Sequence, residues 1–231
     1  IACGFHAGDP TIMVETVRLA LQHGVAVGAH PGLPDLRGFG RRVMSLSPDE
    51  IYADTIYQAG ALRAVLQAHS MELHHVKPHG ALYSMLSVSE PLSEAFARAV
   101  IDVCPQPMIY YPAPAEKHAV TRIAADMGID VVPELYFDLS YDDDGGLILK
   151  RANEGADLAD TKQRLARFLE RGEVLSVNGN AVSMTARSIC LHGDGPNAVD
   201  LARTIGDGLT AAKYELSPLI AAPVMTGRAA Q

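Results

Sequence analysis

At 231 residues, 48% hydrophobic and 20% charged, the chain is long enough for one sizeable core and short for two. With 19 Lys and Arg against 27 Asp and Glu, a net charge of −8 and no basic run, it argues against a nucleic-acid partner. No apolar run approaches the ~20 residues that span a bilayer, which leaves a small molecule as the expected ligand.

The chain opens on IACGFHAGDP, read as a strand running into a functional loop, and a further N-terminal segment is expected before it. Asp9 is an N-cap with Pro10 at the first helical position, and TIMVETVRLALQH keeps helical spacing until Gly24 stops it. VAVGA (25–29) reads as a buried strand. SPDEIYADTIYQAGALRAVLQAH is a second helix with Ser47 as cap, Pro48 in the first turn and Glu50 at the capping-box position. LHHVK (73–77), MIYY (108–111), DVVPE (130–134) and SICL (188–191) are further strands, and helices are expected near 89–103, 115–127, 157–171 and 196–213. EVLSVNGNAVSM reads as a peripheral hairpin within 173–186, with a type I′ turn at Asn178-Gly179. The tail, 217–231, is expected to be loosely held. Strands alternating with helices make one α/β domain over 1–231, either a doubly wound open sheet or a closed barrel.

Chemistry gathers after the strands. GFHAGD brings His6 and Asp9, HPGLPD brings His30 and Asp35, KPHG brings Lys77 and His79. Glu134 ends DVVPE and leads to Asp138, and HGDG brings His192 and Asp194. In parallel α/β folds the carboxyl ends of strands face one side, so these groups are expected to converge. His23, His69, His74, His75 and His118 lie on helices, helix exits or a strand start and read as structural. Cys3 and Cys190 read as small buried hydrophobes; with Cys104 they are too few for a disulfide framework and fit a reducing cytoplasm. Asp142, Asp143 and Asp144 read as a solvated loop. Lys77 reads as a desolvated amine that binds a carboxylate or polarises a carbonyl, in preference to a plain surface charge. Neutral imidazoles with carboxylates suit a divalent metal with three protein ligands and an open position. The metal-free reading uses the same groups as acids, bases and oxyanion donors. Both point to hydrolysis of a C–N bond. No Gly-rich phosphate loop of the G-x-x-x-x-G-K-[ST] type is present.

IACGFHAGDP, GAHPGLPDLRGFGRR, HVKPHGALY and SICLHGD closely resemble the signature stretches of the LamB/YcsF family, in order and over nearly the whole chain. The resemblance implies a seven-stranded TIM-like barrel of the glycoside hydrolase/deacetylase type. It implies the role of the A subunit of an ATP-dependent 5-oxoprolinase, a hydrolase opening the lactam of 5-oxoproline to glutamate with partner B and C subunits. Self-association is left open. The implied catalytic set is His6, His30, Lys77, His79, His192 and Asp194; Asp9, Asp35, Glu134, Asp138 and Tyr141 are the implied binding residues. ATP is the implied co-substrate, and a divalent ion, Mg or Zn, on His6 and His30 is left open. The chain departs from the family twice. It lacks the opening D-x-N-x-D-x-G-E strand, so the first barrel strand is expected to be missing. In FDLSYDDDGGLILKRANEGA, Leu139 stands where the family has arginine and Glu154 where it has proline, which puts an anion contact in doubt. Two other readings remain: a metal-dependent amide hydrolase or deacetylase acting alone, and a non-catalytic scaffold subunit.

Overall fold

Asp9 and Ser47 start two helices in the way their sequence positions predict, as seen in the computed structural model, which describes residues 1–148 and 155–219. Asp9 accepts from the Ile12 N–H at 2.9 Å to open α1 (Pro10–Gln22), which leads to β1 (Val27–Ala29). Ser47 and Glu50 form the full capping box of α2 (Pro48–Ala68), a pair worth about 1 kcal/mol. β2 (Leu73–Val76), α3 (Ala81–Val88), α4 (Glu90–Val103), β3 (Met108–Pro112), a 3₁₀ turn (Ala115–Lys117) and α5 (Ala119–Asp126) follow. Then come β4 (Asp130–Tyr136), β5 (Ser140–Tyr141), β6 (Leu147–Ile148), α6 (Leu158–Arg171), β7 (Glu173–Leu175), β8 (Ala181–Ser183), β9 (Ser188–Cys190) and α7 (Ala198–Ala211).

These elements pack as two compact units. One comprises Ile1–Tyr111 and Glu116–Val131, with Pro218 and Leu219; the other comprises Pro112–Ala115 and Val132–Ser217. In the first unit, β1 pairs in parallel with β2 and β2 with β3. Ile1 to Cys3 runs beside β1, where Ala2 bridges His30 and the His30 N–H donates to the Ile1 carbonyl at 2.9 Å. Val17, Leu62, Leu66, Val76, Phe96 and Val100 are fully buried there, each contributing about 1.5–3 kcal/mol through the water it leaves. In the second unit, β4 pairs in parallel with β9, in the register Glu134 with Ser188 and Tyr136 with Cys190. Its core gathers Leu135, Phe137, Tyr141, Leu165, Val174 and Leu201.

Three features differ from the sequence reading. α3 was not expected: it follows KPHG directly, opened by Gly80 without a side-chain cap, and buries Ala81, Leu82 and Leu86. The helix expected over 115–127 is a 3₁₀ turn and a shorter α5, broken at His118. The hairpin at Asn178-Gly179 exists, β7 against antiparallel β8, but its turn is not type I′. Gly179 alone is left-handed (φ 82°), Ser176 donates to the Asn180 carbonyl at 2.9 Å, and the loop has three residues. Asp143 dictates this choice, accepting from Ser176 Oγ, Asn178 Nδ2 and Asn180 Nδ2. The triplet is exposed, as expected of a solvated loop, and Asp143 within it also organises this turn. Glu154 and the tail beyond 219 lie outside the described residues.

Candidate active site

Three of the predicted histidines meet in the first unit. His30 follows β1 directly, and its Nδ1 lies 2.7 Å from the Lys77 carbonyl. His79 donates its backbone N–H to the Pro31 carbonyl at 2.9 Å. Its ring Nε2 lies 2.7 Å from the Phe39 carbonyl and its Nδ1 3.0 Å from His30 Nε2. His6, in the turn after Cys3, stacks on His79 with ring centroids 3.7 Å apart and 7° between planes. A ring nitrogen of each of the three lies within 4.8 Å of the others. Carbonyl oxygens only accept, so their positions assign protons to His30 Nδ1 and His79 Nε2. The nitrogens that face each other, His30 Nε2 and His79 Nδ1, are therefore the lone-pair ends.

The reason for KPHG is visible here. Lys77 supplies the carbonyl that orients His30, His79 supplies a ring, and Gly80, left-handed at φ 53°, permits a close approach. A Cβ on Gly80 would fall 2.6 Å from the Gly40 carbonyl, which caps α3 by accepting from Ala81 at 2.9 Å. The loop after β1 closes over this point. Phe39 is left-handed at φ 53°, a strain of about 1–2 kcal/mol for a non-glycine residue, and its carbonyl is the one that holds His79. Asp35 ties the loop, accepting from Gly38 at 2.9 Å and from Arg42 Nε at 2.8 Å. The Arg42 guanidinium pulls the Asp35 carboxyl down to about 2.

His6 and His79 are 2% and 5% exposed, and His30 is half-buried. Burial, with His79 alongside, pulls His6 down to about 3, and burial holds His30 well below its usual value. Both rings are neutral at physiological pH. His6 Nδ1 is buried with no hydrogen-bond partner among the described residues. Gln58 of α2, not singled out from the sequence, clamps the backbone beneath it. Gln58 Oε1 accepts from the Gly32 N–H at 2.9 Å and its Nε2 donates to the Gly32 carbonyl at 3.0 Å.

The second unit joins Asp138, beyond β4, to His192, beyond β9. Asp138 Oδ2 accepts from the His192 N–H at 3.0 Å and lies 2.7 Å from His192 Nδ1. Burial alone would raise the Asp138 carboxyl; the bonds from His192 outweigh it and hold it below the usual carboxylate range. Arg164 of α6, also not anticipated, donates to the carbonyls of Phe137 at 2.9 Å and Leu139 at 2.7 Å, on either side of Asp138. Leu139 itself is buried in this unit's core. Glu134 is buried and accepts from Tyr136 and Ser188 hydroxyls, each at 3.2 Å. Tyr141 is fully buried, its hydroxyl accepting from the Tyr136 N–H at 2.8 Å. Asp194 and Asp9 are exposed and Lys77 is half-buried.

Residues 1–223 match the model of the LamB/YcsF family. The chain belongs to the LamB/YcsF family. Within it, the chain is 47% identical over 209 residues to the 5-oxoprolinase A subunit of Geobacillus thermodenitrificans, covering 89% of this chain and 80% of that one. It is 42% identical over 223 residues to the 5-oxoprolinase A subunit of Bacillus subtilis, covering 95% and 85%. The solved structure of the lactam utilization protein from Thermus thermophilus is similar at a TM-score of 0.84 and 40% identity, covering 94% of this chain and 87% of that one. The α/β architecture of this LamB/YcsF chain is thus shared with a solved relative. Among the described residues, no helix is long and apolar enough to cross a membrane.

Proposed function

We propose that the chain is the A subunit of an ATP-dependent 5-oxoprolinase in the cytoplasm, opening the lactam of 5-oxoproline to glutamate together with B and C subunits. The observation that carries this reading is the His6, His30 and His79 cluster, oriented by backbone carbonyls, in a chain 42–47% identical to proteins named as the A subunit of 5-oxoprolinase. A seven-stranded TIM-like barrel belongs to the same proposal, supported by parallel strands that alternate with helices.

A five-membered lactam is a stable amide, so water needs an activated carbon. Transfer of the ATP γ-phosphoryl group to the lactam oxygen releases ADP and makes the ring carbon electrophilic. Water then adds, the C–N bond breaks as the nitrogen takes a proton, and a second water releases phosphate from the acyl phosphate. In this scheme His6, His30 and His79 handle protons or hold a metal ion at the ring, Lys77 pairs with the substrate carboxylate or the transferred phosphate, and His192, held by Asp138, is a further proton-carrying group. Asp194, Glu134, Asp35, Asp9 and Tyr141 bind or position.

Reconstitution tests this reading. The chain mixed with candidate partner subunits, ATP and 5-oxoproline is expected to yield glutamate and ADP, and His30→Ala or His79→Ala to abolish turnover with the complex still assembling. No lactam-dependent ATP hydrolysis in the assembled mixture would overturn the proposal.

A further inference from the structure

We infer that His6, His30 and His79 form a binding site for one divalent transition-metal ion of the zinc class. The tautomers are the starting point. The Lys77 and Phe39 carbonyls each hold one ring nitrogen at 2.7 Å, which leaves the other nitrogens of His30 and His79 as lone pairs pointed at each other across 3.0 Å. Two lone pairs at that distance repel, so a shared proton or a cation between them is what the contact calls for. In a tetrahedral zinc site with Zn–N near 2.0–2.1 Å, ligand nitrogens stand roughly 3.3 Å apart. The pair is therefore at ligand spacing after a few tenths of an ångström of movement.

A single shared proton would relieve the pair but would not employ the third ring. His6 brings a ring nitrogen to within 4.8 Å of both others and carries a buried Nδ1 that no described residue satisfies. A buried polar atom without a partner costs about 1–3 kcal/mol, and a ligand outside the chain is one of its ordinary explanations. An ion draws the three imidazoles together, with the His6 ring turning off its stack on His79 as it ligates.

The surroundings are those of a metal centre. Metal-bound histidines fix their second nitrogen on a carbonyl or carboxylate, which sets the tautomer and raises ligand basicity; His30 and His79 both do so. The carbonyl that holds His79 comes from left-handed Phe39, and Gly40, whose Cβ would fall 2.8 Å from His6 Cβ and 2.9 Å from His79 Cδ2, leaves the rings room. Imidazoles select zinc, cobalt, nickel or iron over magnesium and calcium, which take oxygen ligands. Three protein ligands leave a fourth position for water or a substrate oxygen, the arrangement of catalytic rather than structural zinc. The inference rests on this geometry alone and stands or falls independently of the 5-oxoprolinase reading.

The test uses the full chain, stripped with chelator and titrated separately with Zn²⁺ by calorimetry and with Co²⁺ by visible absorption. One ion per chain is expected, with the strong ligand-field bands of four-coordinate Co²⁺ and a rise in melting temperature on Zn²⁺ addition. His30→Gln and His79→Gln should each weaken Zn²⁺ binding by on the order of 100-fold or more, whereas His23→Gln, at the exposed end of α1, should leave it unchanged. X-ray absorption on the wild-type Zn²⁺ complex should show imidazole scattering from three histidines, which keeps the test decisive if a variant misfolds. No saturable binding, binding retained in both glutamine variants, or a shell without imidazole would overturn the inference.

Discussion

The histidine cluster of the first unit and the Asp138–His192 pair of the second use the same residue type at strand ends and set it up in different ways. His30 and His79 are oriented by neutral backbone carbonyls, so the ring nitrogens that face each other are the lone-pair ends. His192 is oriented by a carboxylate, with its Nδ1 2.7 Å from Asp138 Oδ2. A carbonyl prepares an imidazole to accept an electrophile; a carboxylate prepares it to carry a proton. The orienting partner, more than the histidine, decides which chemistry the ring can perform.

Asp138→Asn is the strongest way to break that contrast. The amide keeps the shape but removes the charge that holds the His192 ring, and if His192 moves a proton during turnover the rate should fall by about 10²–10⁴. The melting temperature should move far less than the rate. Full activity in the reconstituted complex would make the pair a structural clamp and leave the histidine cluster as the sole candidate centre. Gly80→Ala probes the other side. With φ 53° and the Gly40 carbonyl 2.6 Å from the new Cβ, backbone must shift, and denaturant unfolding should show a loss of about 2–4 kcal/mol. A loss under about 0.5 kcal/mol, the size of an ordinary surface substitution, would mean that the loop over the cluster yields easily and does not hold His79 in place.

The capped helices, the strands and the three histidines were legible because each leaves a local mark: Asp9 before Pro10, Ser47 before Glu50, short apolar runs ending in His and Gly. The supporting residues left weaker marks. Gln58 sits on the buried stripe of α2 beside Thr55, Ala59 and Leu62, and a lone amide on an apolar stripe is a detectable anomaly. Arg164 is the same kind of signal, only 16% exposed at its side chain on α6 next to Leu165. Their partners are backbone groups of Gly32, Phe137 and Leu139, and no sequence pattern encodes which carbonyl a side chain will reach. α3 escaped for a related reason: ALYSMLSV has helical spacing but starts on a glycine, and its first N–H is capped by the Gly40 carbonyl, far back in the chain. The strain at Phe39 was hidden altogether, since phenylalanine gives no hint of a left-handed backbone.

A smaller effect would separate the two units by pH. In the first unit, His75 is stacked on Tyr110 at 3.9 Å, and burial, then its neighbour His74, pulls it down to about 3. Unfolded, the same ring titrates near 6.5. Below that value the unfolded chain binds the extra proton, so the stability His75 contributes is whole above about pH 6.5 and drains as pH falls toward 3, by at most about 1.4 kcal/mol per pH unit. Asp138 has the opposite starting point. Its folded carboxyl lies below the unfolded value of about 3.9, so its contribution is intact down to about pH 4 and is lost only below. Amide exchange, corrected for intrinsic rates and compared at about pH 7 and about pH 4.5, on either side of the unfolded imidazole value, should therefore show protection falling in β1 and β2 while β4 and β9 hold. His75→Phe, which keeps the ring contact with Tyr110, should flatten the first response and leave the second as it was. Equal loosening of all four strands over that interval would show that neutral buried imidazoles do not distinguish the two units.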